Sequence, residues 1–226
     1  MIVVDKKINK EILCKLKLLD EVLLTAENNN LQRPINSHPD MLVRALEDKD
    51  VIVDRENYQY YKSALQGYNV IKSDTTLRAK YPGDIALNFC KFKNHIIHNL
   101  KYTDKKVLEY YSKRNYEFVD VKQGYTKCNI VVGENTLITS DRDIYDKLKG
   151  IFNILLIRHK EVILEGYEYG FIGGASGIIK GVLYFTGDIK KHSNGQKIAE
   201  FLNAHGEKYK MLSTGKLTDY GSVLEL

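Results

Sequence analysis

His38-Pro39-Asp40 sets an imidazole two residues from a carboxylate, a spacing at which a general base can be oriented by its neighbour. Proline also restricts the residue before it and often marks a turn, so the phrase fits a catalytic base or a turn entering a strand. Cys128 follows Lys127, and a cysteine becomes nucleophilic when a nearby cation and base lower its pKa. Lys127, His38 and a carboxylate could supply these, which makes Cys128 the leading nucleophile candidate, with His38 and Asp40 as partners. The plainer alternative is a small buried side chain within Cys128-Asn129-Ile130-Val131-Val132. Asp84, Asn88, Lys127, Asn129, Ser176 and Asp219 form the candidate ligand-binding set. Asp84 and Asp219 could hold a cationic group or cap local turns. Gly173-Gly174-Ala175-Ser176-Gly177 could cradle an anion, but it lacks the lysine of a phosphate loop, and close backbone packing fits it better.

Composition narrows the classes of function. The 226 residues are 43% hydrophobic and 28% charged, the make-up of a chain that folds around a substantial core. Cys14, Cys90 and Cys128 are odd in number and none forms a C-x-x-C pair, so they read as free thiols. His95, His98, His159, His192 and His205 share no ligand spacing with a cysteine or carboxylate cluster, and neither a metal nor a cofactor is expected. Lysine and arginine number 34 against 29 acidic residues, and the excess forms no basic block, which leaves nucleic-acid binding unsupported. No apolar run reaches the roughly 20 residues that span a bilayer, and the first residues lack the order of a signal peptide. The expectation is a cytoplasmic protein without membrane association.

Residues this far apart meet only if the elements that carry them repeat around a common centre. Four helical segments share one grammar. Asp54 can cap a helix with Tyr58, Tyr61 and Leu65 inward and Gly67 as its stop; Thr103 precedes one with Val107, Leu108 and Tyr111 inward. Ser140 or Asp141 opens a third with Ile144 and Leu148 inward, and Ser193 or Asn194 a fourth with Ile198, Phe201 and Leu202 inward. Each is followed by a β-like run and preceded by two, at 41–43 and 51–53, 85–89 and 95–97, 128–132 and 137–139, and 178–179 and 182–185. The unit is therefore ββαβ. Ile2-Val3-Val4, a helix capped by Asn9 and a run at 22–24 make a fifth unit when joined to a strand near 222–226. An open array leaves two sheet edges exposed, whereas a ring sharing its last blade between residues 1–25 and 218–226 removes them. The expected architecture is α/β, one domain of five modules over residues 1–226; an ordinary α/β sandwich is the alternative.

Five ββαβ units around a pseudo-fivefold axis are the plan of the guanidino-group-modifying enzymes, or penteins, and the chain resembles that superfamily. His38-Pro39-Asp40, Gln123-Gly124-Tyr125-Thr126-Lys127-Cys128, the stretch from Gly170 to Gly177 and Asp219-Tyr220-Gly221-Ser222 are similar to phrases of an uncharacterised bacterial family of the same fold. The resemblance implies a five-bladed αβ-propeller whose first strands line a central channel, with the candidate residues at their starts. The superfamily's enzymes carry a cysteine in the last blade and a histidine phrase earlier. Here Thr218-Asp219-Tyr220-Gly221-Ser222-Val223 holds no cysteine and the approach to the fourth unit no histidine, so those positions read as vacant. The implied function is binding of a small polar ligand, a guanidino or ureido compound, in the channel. The alternatives are a cysteine-dependent hydrolase or deiminase-like enzyme using Cys128 and His38, and a noncatalytic protein-interaction module, as in a translation initiation factor of this fold.

Overall fold

Apolar side chains four residues apart on short capped helices are what anchor each unit. A computed structural model describes residues 1–226. The amino-terminal segment supplies β1 (Ile2–Val4), α1 (Lys10–Lys17) and β2 (Val22–Leu24). Asn9 caps α1 by accepting from the Glu11 amide, and Ile12 and Leu16 are its buried pair.

The first complete unit runs through α2 (Pro39–Leu42), β3 (Val43–Ala45), β4 (Asp50–Val53), α3 (Tyr58–Ala64) and β5 (Asn69–Lys72). The second comprises β6 (Cys90–Phe92), β7 (His95–His98), α4 (Lys105–Ser112) and β8 (Glu117–Asp120). The third has α5 (Thr126–Asn129), β9 (Ile130–Val132), β10 (Thr136–Thr139), α6 (Arg142–Leu148) and β11 (Asn153–Leu156). The fourth has β12 (Ser176–Ile179), β13 (Val182–Phe185), α7 (Gly195–Ala204) and β14 (Tyr209–Met211), and β15 (Leu224–Glu225) ends the chain. Val107 with Tyr111, Ile144 with Leu148 and Ile198 with Leu202 repeat the buried spacing of α1.

The strands form five three-stranded sheets. In each of the four continuous units the first strand is antiparallel to the second, and the second is parallel to the third across the helix. The fifth sheet has the same plan from two distant segments, because β15 pairs antiparallel with β1 and β1 parallel with β2. Backbone hydrogen bonds join neighbouring units at the approaches to their first strands. The Lys127 amide donates to the Asn88 carbonyl at 2.9 Å, the Gly174 amide to Cys128 at 2.9 Å, the Ser222 amide to Gly174 at 2.8 Å and the Asp40 amide to Gly221 at 3.0 Å. These approaches are closely fitted. A Cβ on Gly173 would strike three carbonyls between Lys127 and Ile130, and one on Gly221, at φ +66, would strike His38.

Three expectations about local structure are corrected. Residues 41–42 and 128–129 lie in the one-turn helices α2 and α5, and the strands start only at Val43 and Ile130. The run 85–89 is a turn before β6. Cys90 is the first residue of β6 and is buried among Phe92, Ile97 and Ile130. Asp54 does not cap α3 directly: Asn57 holds that position, and Asp54 accepts from the Asn57 amide at 3.1 Å. No helix is long and apolar enough to cross a membrane.

Candidate functional site

Two single helical turns carry the central residues. Pro39 begins α2 with its φ preset for a helix, which leaves His38 at the cap and Asp40 in the first turn, both buried. α5 presents Lys127 and Cys128 on consecutive positions, also buried.

The Cys128 thiol donates to Asp40 Oδ2 at 3.1 Å and accepts from Asn88 Nδ2 at 3.1 Å. Asn88 Oδ1 in turn accepts from the Cys128 amide at 3.2 Å, so one amide side chain holds both ends of the cysteine. Asp40 Oδ2 also accepts from Ser222 Oγ at 2.7 Å, whereas Asp40 Oδ1 is buried without a partner. A ring nitrogen of His38, a carboxylate oxygen of Asp40 and Cys128 Sγ all lie within 4.8 Å of one another. Carboxylates stand near both ring nitrogens of that imidazole, with Asp5 3.8 Å from Nε2 and Asp219 3.9 Å from Nδ1.

His38, Cys128 and Asp219 line one cavity of about 280 Å³ with Met41, Ile35, Leu164, Glu168 and the aromatic rings of Tyr125, Tyr167, Tyr169 and Phe171. Asp219 is fixed by the amides of Phe171 and Gly221, each at 2.8 Å. Burial pushes its carboxyl above the ordinary range, opposed first by His38. The Cys128 thiol is pushed well above its ordinary value, first by burial and then by the charges of Asp40 and Asp219. Each of these influences favours the neutral thiol over the thiolate.

The remaining candidates divide. Asp84 is one contact back from the cavity, accepting from the Tyr125 hydroxyl at 2.5 Å, with burial raising its pKa. Lys127 turns away from it: Nζ donates to Ser222 Oγ at 2.9 Å. Asn129 Nδ2 donates to the Tyr125 carbonyl and Ser176 Oγ to that of Gly173, both at 3.0 Å, which fixes the local turns without reaching the cavity. Tyr125, Phe171 and Ser222 lie within the phrases that carry the resemblance but were given no role, and Tyr167 and Tyr169 carried no motif. Leu164, Tyr167 and Tyr169 come from the insertion between the third and fourth units, whose only sequence signal is its excess length.

The catalytic positions that read as vacant do not leave the cavity without reactive groups, because Cys128 and His38 reach it from other units. The absence of a metal was also expected from spacing. His38, Asp40 and Cys128 nevertheless offer one nitrogen, one oxygen and one sulfur donor, a set that a thiophilic divalent cation could use. That set is invisible in the spacing because it joins two distant turns.

The fold is shared with enzymes that differ widely in sequence. The dimethylarginine dimethylaminohydrolase of Pseudomonas aeruginosa, as a cysteine-to-serine mutant complexed with citrulline, aligns at TM-score 0.59 and 10% identity, covering 94% of this chain and 91% of that one. Inosamine-phosphate amidinotransferase StrB1 from Streptomyces griseus aligns at TM-score 0.56 and 12% identity over 94% of this chain and 76% of the other. The product-bound N-terminal domain of ArgZ, a cyanobacterial arginine dihydrolase, aligns at TM-score 0.53 and 11% identity, covering 89% and 76%. At these identities the likeness establishes the pentein fold and nothing finer. No curated protein sequence matches the chain. Residues 3–224 match the group described as Family of unknown function (DUF6873), and with that match spanning almost its whole length, the chain belongs to this family.

Proposed function

We propose that residues 1–226 form one ring-shaped domain of five blades and that the cavity at Cys128 takes a small guanidino or ureido compound. The observation that carries this reading is the cavity wall. Tyr125, Tyr167, Tyr169 and Phe171 offer ring faces, and Asp219 and Glu168 offer negative charge. Aromatic rings with the buried Asp219 and the exposed Glu168 together favour a flat cation such as a guanidinium. Support for the ring comes from the chain of hydrogen bonds between units and from the pairing of β15 with β1. The fold neighbours include a protein complexed with citrulline and a product-bound arginine dihydrolase domain, which suits this ligand class. Asp84, Asn88 and Asp219 would shape the site, with Lys127, Asn129 and Ser176 holding the turns around it.

A second reading, chemistry at the bound group, is favoured by the nearness of His38 to Cys128. A bound guanidinium would place a cation beside the thiol and favour the thiolate. The thiol proton would pass to His38 as the sulfur adds to the guanidinium carbon, and the amine would leave with that proton. Water activated by the same imidazole would then release a ureido product and restore the thiol. The test is a thermal-shift series with arginine, agmatine, citrulline and related compounds, repeated on Tyr167→Ala, and followed by assay for released amine. A ligand that binds the folded state raises the melting temperature. No shift with any guanidino or ureido compound would remove the ligand reading, and a shift without amine release would remove the catalytic one.

A further inference from the structure

A separate cavity of about 240 Å³ opens farther along the same first strands, lined by Arg44, Lys91, Lys127, Val132, Gly177 and Glu225 among others. None of these residues lines the cavity at Cys128. Arg44, in β3, is 6% exposed, and its guanidinium lies 4.9 Å from the centre of the Phe89 ring. Its Nε and Nη1 are buried and lack any hydrogen-bond partner. A guanidinium carries five N–H donors and keeps its charge in proteins, so such a group is expected to be met by an anion or an acceptor.

None of the nearby carboxylates hydrogen-bonds Arg44, although Asp40 Oδ1 is itself buried without a partner. Asp40 accepts from Cys128 and Ser222, and Glu47 pairs with Lys91 at 2.7 Å. Glu225, at the cavity wall, has the sign that would repel an anion, but its oxygens accept from the Lys180 amide at 3.0 and 3.2 Å. Lys127 adds a second buried cation, with Nζ directed to Ser222 Oγ and, at 3.5 Å, to the Gly173 carbonyl. The charge of Asp40 is the first to favour each of these two buried cations.

We propose that this second cavity binds a small oxyanion, the phosphate or carboxylate group of a compact metabolite, through Arg44 with Lys127 and Lys91 contributing charge. The site is independent of the guanidino reading. The experiment is a calorimetric and thermal-shift titration of the full chain with inorganic phosphate and, separately, with acetate, chloride being exchanged to hold ionic strength constant. Saturable binding of either anion is expected, and the stronger of the two identifies the group. Arg44→Gln should abolish it, and Lys91→Gln, a partly exposed position, should weaken it about threefold to tenfold through lost charge. If Arg44→Gln fails to fold, Lys91→Gln and the wild-type titration decide alone. Shifts that merely follow ionic strength, or full-strength binding to either variant, would overturn the proposal.

Discussion

The two cavities are built from neighbouring residues and have opposite chemistry. Cys128 lines the first and Lys127, the residue before it in α5, lines the second. Around the thiol stand His38 and Asp219, with Asp40 behind; around the ammonium stand Arg44 and Lys91. Asp40 and Ser222 lie between them, since Ser222 Oγ accepts from Lys127 and donates to Asp40, which also accepts from the Cys128 thiol. One helical turn therefore divides a buried polar centre into an acidic, aromatic side suited to cations and a basic side suited to anions. The lesson is that the cationic neighbour on which the nucleophile reading of Cys128 rested, Lys127, serves the other side. Burial and two carboxylates govern the thiol instead.

Asp40 is where this division is most easily broken. Asp40→Ala removes the acceptor of two buried donors and the charge that favours both Arg44 and Lys127, and should cost about 3–5 kcal/mol in denaturant unfolding. Asp40→Asn should cost less, because it keeps an acceptor. Wild-type stability in Asp40→Ala would mean that the two sides share no charge.

Acid should loosen the cysteine side first. Burial lowers the His98 pKa to about 4, and the ring joins Thr103 Oγ1 at 2.7 Å to the carbonyl of Gly124 at 2.8 Å, just before Tyr125. The unfolded chain takes up this proton before the folded one does. His98 therefore contributes stability that is complete above about pH 6.5 and lost as pH falls toward 4, about 3 kcal/mol for the full shift. Asp54, raised to about 6 by burial, has the opposite slope over much of this window, so the contribution is read as the difference between wild type and His98→Gln in stability-versus-pH curves. Parallel curves would contradict it.

The smallest effect sharpens the comparison. Tyr167 is 40% exposed and lines only the first cavity, so Tyr167→Ala should leave unfolding unchanged. It should weaken guanidino binding by about 1 kcal/mol, without altering phosphate or acetate binding. Calorimetry of both ligand types on the one variant checks the separation.

Much of this plan was legible in the residues. The buried spacings Val107 to Tyr111 and Ile144 to Leu148 mark helices regardless of context, and the β-like runs around them reveal the repeated unit. The one-turn helices were not legible, because Met41-Leu42 and Cys128-Asn129 are too short for any period to separate helix from strand. Cys128, His38 and Asp219 were found because they stand at equivalent places, ahead of the first strands of different units. The aromatic wall was missed because Tyr167 and Tyr169 sit in an insertion without a pattern, and Arg44 because a lone charge in a strand reads as solvent-facing. Only the packing of several units around it buries that guanidinium.

The most direct test of the acidic cavity is alkylation of Cys128 as a function of pH, with Cys14→Ser and Cys90→Ser in the background, in the presence and absence of a guanidino ligand found by thermal shift. In the free protein the apparent pKa should lie above the ordinary thiol value of about 8.5, and it should fall when the cation is bound. A value at or below 8.5 in the free protein, or no change on binding, would contradict the account.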